Sequence, residues 1–101
     1  MTAYNVVRFK VKPGQNQKFI DKHKGFPTLA GMEDGALIKT GASTFCFVGK
    51  WKSFDAIAAA RPQMVGILDS FRGMLEDMGG GLGQTDPVSG DVVVDFKTMK
   101  G

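Results

Sequence analysis

Residues 44–52 read Thr44-Phe45-Cys46-Phe47-Val48-Gly49-Lys50-Trp51-Lys52, and the rest of the chain is arranged around them. Strand alternation places Phe45, Phe47, Gly49 and Trp51 on one face and Cys46, Val48 and Lys50 on the other. Three large aromatic side chains on one strand face require either a packed core or a flat ligand to cover them. Ser53 follows at once as a helix N-cap, with Asp55 placed to complement the dipole of the first turn.

Upstream, Tyr4–Lys12 alternates cleanly. Asn5, Val7, Phe9 and Val11 share one face, and the turn signal Pro13-Gly14 closes the strand. From Gln15 to Lys24 the period becomes helical, with Phe19, Ile20 and His23 on one stripe and Gly25 as the stop. Phe26–Asp34 has no clean period and reads as a connecting loop suited to the mouth of a pocket. Gly35–Gly41 is a short strand that turns through Gly41-Ala42-Ser43 into the aromatic strand.

Downstream, Phe54, Ile57 and Ala58 face inward from the helix opened by Ser53. Pro62 is expected to interrupt that helix and restart it, so that a second segment carries Val65, Leu68, Phe71, Leu75 and Met78 on its stripe. Gly79-Gly80-Gly81 ends it. Leu82–Gly90 is expected as a loop and Asp91–Met99 as the last strand. The order β-α-β-β-α(α)-β predicts an α+β fold, a ferredoxin-like antiparallel sheet with helices on one face, in a single domain spanning residues 1–101.

The chain has 101 residues, 43% of them hydrophobic and 23% charged, which is ordinary for a soluble globular domain. No apolar run approaches the length of a membrane span, and no targeting segment is evident, so a cytoplasmic location is expected. The lone Cys46 sits inside the apolar strand and reads as a buried, inert thiol. The net charge of +3 is unevenly spread: residues 1–52 carry nine Lys or Arg against three acids, residues 53–101 four against seven. That pattern fits a basic sheet end beside an acidic helical layer, and is a weak signal for a polyanionic partner. The glycine run at 79–81 lacks a following Lys-Ser or Lys-Thr and ends a helix, which excludes a phosphate loop. One His and one Cys make no metal cluster, and no cofactor is expected.

A sheet covered on one side leaves its other face to be explained. Phe9 with Val7, or Phe45, Phe47 and Trp51, are expected to exceed what short helices can hide, and pairing two sheets in a C2 homodimer would cover the remainder.

With Val7-Arg8-Phe9-Lys10-Val11-Lys12-Pro13-Gly14 before the first helix, Gly49-Lys50-Trp51-Lys52-Ser53 before the second and the restart at Pro62, the chain resembles the dimeric α/β-barrel superfamily, in particular its antibiotic-biosynthesis-monooxygenase-like group. The resemblance implies two sheets pairing face to face as a barrel. It also implies a pocket for a small hydrophobic aromatic molecule, in some members oxygenated without a cofactor. Trp51 stands where the group has its tryptophan. The slot in which the oxygenases carry asparagine holds Val7, with Asn5 two positions earlier on the same face. The slot of a common histidine holds Ala60, beside Arg61.

The candidate catalytic residues are therefore Trp51, His23 and Asn5, and the candidate substrate-binding residues Arg61, Phe45 and Phe47. Trp51 either stacks on a flat substrate and orients it through its N–H, or packs in the core. His23, the only histidine, is the one side chain with an ordinary pKa near neutrality and so the natural general base; its other reading is a helix-end residue facing the dipole. Asn5 is placed to bond an oxyanion or local backbone, and Arg61 to hold a phenolate or stand in solvent.

Three functions are consistent with these residues. One is a cofactor-free monooxygenase-like enzyme acting on an aromatic metabolite. Another is a non-catalytic homodimer that binds such a ligand or serves a structural role. RNA binding is the least favoured. Ser43–Lys50 has some likeness to the third-strand signature of RNA-recognition domains, yet Ser43 and Thr44 replace its basic residue and glycine, and Lys50 its aromatic.

Overall fold

The computed structural model describes residues 2–81 and 83–97. Four antiparallel strands, β1 (Ala3–Lys10), β2 (Met32–Lys39), β3 (Thr44–Trp51) and β4 (Thr85–Asp91), form one sheet in the order β2-β3-β1-β4. Helices α1 (Asn16–Lys24) and α2 (Phe54–Asp69) lie on one of its faces, followed by a single 3₁₀ turn at Arg72–Met74. This is the expected ferredoxin-like α+β architecture.

The register fixes what the helices meet. Phe9 stands opposite Phe45 and Ala3 opposite Trp51 across β1 and β3, so the large aromatics fall at the two ends of the helix-covered face. Each end has its own core. Phe9, Val11, Phe19, Phe45, Phe71 and Leu75 pack at one end, and Ala3, Leu29, Trp51, Ile57 and Ala60 at the other. Trp51 and Phe19 are completely buried, each such side chain contributing on the order of 2 kcal/mol of transfer free energy.

The aromatics thus fit under the helices, contrary to the expectation that they would overflow onto the open face. That open face instead presents Tyr4, Val6, Val48, Ile38 and Val88, with Tyr4 40%, Ile38 47% and Val88 61% exposed. Cys46 lies on it but is buried between its cross-strand neighbours Arg8 and Ile38, as a thiol inside the sheet.

Several boundaries differ from those expected, each for a physical reason. The helix opened by Ser53, whose Oγ accepts from Ala56 N at 3.1 Å, runs unbroken through Pro62 to Asp69. Pro62 and Ala58 both lie on the solvent side, where water satisfies the carbonyl that the proline cannot, while Ile57 and Ala60 hold the other face to the core. The helix does not reach Met78. After the 3₁₀ turn the chain extends along the end of β1, with Lys12 N donating to Met74 O at 2.9 Å and Glu76 N to Lys10 O at 2.8 Å. These bonds bring Leu75 beside Val11 as an isolated bridge, so both residues are buried without a helix between them.

β2 begins at Met32, inside the stretch expected as a loop, and bulges between Met32 and Asp34. The last strand is also displaced. Thr85–Asp91, polar and interrupted by Pro87, pairs with β1 throughout, whereas the alternating Val92–Phe96 stretch follows the sheet with Val93 91% and Phe96 80% exposed. An edge strand needs backbone pairing on one side only, so it tolerates Pro87 and weak strand formers. The Arg8–Asp86 ion pair and the Asn5–Ser89 hydrogen bond favour this register. The remainder of the expected strand, residues 98–99, lies outside the described residues.

Replacing Pro62 by Ala restores a helical N–H and relieves the ring against Ala58. Pro62→Ala is expected to raise the unfolding free energy by about 1–2 kcal/mol, the helix-interior penalty less the entropy that proline removes from the unfolded chain. A lowered urea midpoint would mean that the proline ring supports α2 instead of straining it.

Candidate functional site

Between the two cores the helix-covered face is not filled. The middle row of the sheet, Gly35 of β2, Gly49 of β3, Asn5 of β1 and Ser89 of β4, runs across all four strands in register and offers little side-chain volume. Above it lies an open cavity of about 1020 Å³, floored by the sheet and roofed by α2, His23 and the loop from Phe26 to Leu29. Its walls are mostly apolar, and Asn5, His23, Arg61 and Ser89 are among its few polar groups.

His23 sits at the end of α1 among four phenyl rings, with centroids 4.4 Å from Phe19, 4.9 Å from Phe71, 5.0 Å from Phe26 and 6.3 Å from Phe9. Its Nδ1 is 2.8 Å from the carbonyl of Phe19. A carbonyl only accepts, so Nδ1 carries the proton and donates it; in the neutral ring Nε2 keeps its lone pair. Burial among the rings pushes the imidazole pKa below its ordinary value of 6.5, and the bond to Phe19 opposes that shift. The result is a neutral base at the cavity wall, held in one tautomer.

Asn5 is 5% exposed. Its Nδ2 donates to Ser89 Oγ at 3.1 Å, while its Oδ1 is buried with no partner. Trp51 does not line the cavity. It is wholly buried in the second core, yet its indole Nε1 is also without a partner. A Cβ built on Gly49 would lie 2.9 Å from that Nε1, so the indole nitrogen stands over the residue directly opposite Asn5. The indole donor and the carboxamide acceptor are thus each buried without a partner, which costs free energy unless something bonds them.

Of the six residues singled out from sequence, Asn5, His23, Arg61 and Phe47 line one cavity. Arg61 is exposed on α2 at the mouth, and no carboxylate pairs with it among the described residues. Phe45 is a core residue at the far end of the strand, away from the cavity. Two further residues of the site carry no such signal in the sequence: Ser89 lies in a stretch that reads as a loop, and Phe71 reads as a core residue. Phe26, whose ring also meets His23, belongs to the loop expected at the mouth of a pocket, and that loop does line the cavity. Among the described residues no cluster of three or more His, Cys, Asp or Glu is placed to hold a metal ion, and no helix is long and apolar enough to cross a membrane.

No family model matches the sequence, and no curated protein matches it. Solved structures do match the fold. A candidate antibiotic biosynthesis monooxygenase from Chloroflexus aurantiacus superposes with a TM-score of 0.71 at 12% identity, covering 94% of this chain and 96% of that one. SnoaB, a cofactor-independent oxygenase from Streptomyces nogalater, gives a TM-score of 0.65 at 15% identity over 94% and 96% of the two chains. A dimeric ferredoxin-like protein from an uncultured marine organism gives 0.72 at 10% identity over 94% and 90%. The chain thus has the ferredoxin-like fold shared by antibiotic-biosynthesis-monooxygenase-like proteins.

The lowered pKa of His23 sets a sign for stability. The unfolded imidazole takes up a proton near pH 6.5, above the folded pKa, so stability is retained at higher pH and lost as pH falls below about 6.5. The thermal midpoint is expected to drop between pH 7 and pH 5, and His23→Gln to flatten that part of the profile. An unchanged slope in the variant would mean that His23 is not the group responsible.

Proposed function

We propose that the cavity binds a small hydrophobic aromatic molecule bearing an ionisable hydroxyl, and that the protein acts on it as a cofactor-independent monooxygenase. The observation that carries this reading is His23, a neutral base with a free Nε2 in an apolar wall. Bound beside it, a polycyclic phenol gives its proton to Nε2, and the electron-rich anion left behind reduces O2 itself. For oxygenation at a ring CH2, one oxygen atom becomes the new carbonyl and the other leaves as water with the two hydrogens, so atoms and electrons balance. Asn5 supplies an acceptor at the cavity wall for a hydroxyl of the substrate, Arg61 faces a developing phenolate, and Phe47 gives a flat apolar contact. The oxygenase likeness of SnoaB supports the class of reaction.

A second reading is favoured by the residues at two slots. Val7 and Ala60 stand where oxygenases of this fold carry asparagine and histidine, so the same cavity serves equally as a non-catalytic ligand site. In both readings the protein is a homodimer formed through the open face, where Tyr4, Ile38 and Val88 are exposed beside the half-buried Val6 and Val48. The dimeric relative of the same fold supports this.

Titration with a polycyclic hydroquinone is expected to change Trp51 emission saturably. His23→Gln should retain that binding but lower oxygen consumption on the order of 100-fold, the usual weight of a general base. Binding without any oxygen uptake by the unsubstituted protein would select the non-catalytic reading; no binding removes both. Val6→Asp, at the centre of the open face, is expected to halve the mass in solution.

A further inference from the structure

A second hollow lies on the open face, where the chain runs past the end of β4. Val92 N donates to Thr2 O at 2.8 Å beside the start of β1, and the residues that follow do not continue the sheet. They form an arm, Val92–Phe96, that walls a groove of about 670 Å³ floored by Tyr4, Val6 and Val88. The arm does not fill this groove: Val93, Val94 and Phe96 all stay exposed. Among the described residues eight large apolar side chains are exposed, and five of them, Tyr4, Val88, Val93, Val94 and Phe96, line this one groove. Such clustering marks a surface that is covered in the working protein.

We infer that the groove receives the Val92–Phe96 arm of a second copy of this chain, so that two copies exchange arms. This rests on the open-face dimer and names the segment that fills its border. Shape favours an arm as the occupant. A groove with the open face as floor and a chain segment as wall is too confined for a second flat sheet, but it suits one extended strand. Length agrees, since five extended residues reach about 17 Å and four strands span about 14 Å. The sequence of the arm also fits a slot with two apolar sides. Alternation sends Val92, Val94 and Phe96 one way and Val93 the other, so one set meets the partner's sheet and Val93 meets the partner's arm. Charge is complementary as well. The arm carries Asp91 and Asp95, while Lys50, opposite Tyr4 on the open face, is in no ion pair among the described residues. Exchange about a two-fold axis fills both grooves and leaves no arm over, which closes the assembly at two copies.

The test mixes two full-length chains of different tag length, one carrying Phe96→Cys and the other Val88→Cys, under mild oxidation. A disulfide between the two tagged chains is expected, because the arm of one then lies on the floor of the other. Phe96→Cys mixed with the unsubstituted chain is the control for Cys46, which is buried in the sheet. In parallel, sedimentation over a dilution series follows Phe96→Asp, a change at a side chain 80% exposed in the single chain. It is expected to raise the dimer dissociation constant by about tenfold or more, whereas Lys18→Asp on α1 leaves it unchanged. Two outcomes overturn the exchange but leave the open-face dimer standing. One is a dimer indifferent to Phe96→Asp; the other is a disulfide that forms only within one chain when both cysteines are placed together. An unsubstituted chain that stays monomeric at every concentration overturns the dimer and the exchange together.

Discussion

The fold depends on the pairing of β1 with β3. That register sets Phe9 against Phe45 at one end and Ala3 against Trp51 at the other, which leaves Asn5, Val7, Phe47 and Gly49 between them. α1 brings Phe19 onto the first cluster, while α2 brings Ile57 and Ala60 onto the second and reaches the first with Ile67 and Leu68, so it roofs the middle without filling it. The cavity arises from how the cores are pinned.

That division also explains why donors and acceptors are left unpaired in so small a chain. A continuous core would have covered Asn5 with hydrocarbon and selected an apolar residue there, since an unbonded buried amide is costly. Here the amide faces a space that can admit a bonding partner, and its own strand neighbour Ser89 answers only half of it. His23 is treated in a similar way, with one ring nitrogen fixed by the helix backbone and the other left open.

Periodicity makes the two central strands, their inward faces and the starts of both helices legible in the sequence, because those segments bury one face and must alternate to do so. Pro62 is misleading because local propensity yields to tertiary packing when the lost hydrogen bond faces water. Thr85–Asp91 is hidden for the opposite reason: an edge strand gains its place from backbone pairing and two polar contacts, and its side chains carry no hydrophobic signature. The neighbouring Val92–Phe96 has the stronger alternation and yet lies beyond the sheet. In the site, Asn5, His23, Phe47 and Arg61 are recognisable by residue type. Trp51 and Phe45 share a strand face with Phe47, and nothing in alternation distinguishes a residue over a core from one over a cavity. That distinction comes from where the helices end.

The polar edge strand has a consequence for aggregation. Both lateral borders of the sheet are unfavourable templates for another strand. On one border β4 offers Asp86, Pro87, Gly90 and Asp91; on the other β2 offers Glu33 and Asp34 beside a bulge. An incoming chain would lose a backbone donor at the proline, meet like charges at the acids if it were another copy of the same edge, and find the ladder out of step at the bulge. Such blunted borders oppose ribbon-like growth of the sheet. The weak β-propensity that obscures β4 in the sequence thus serves the protein as protection against fibrillar stacking.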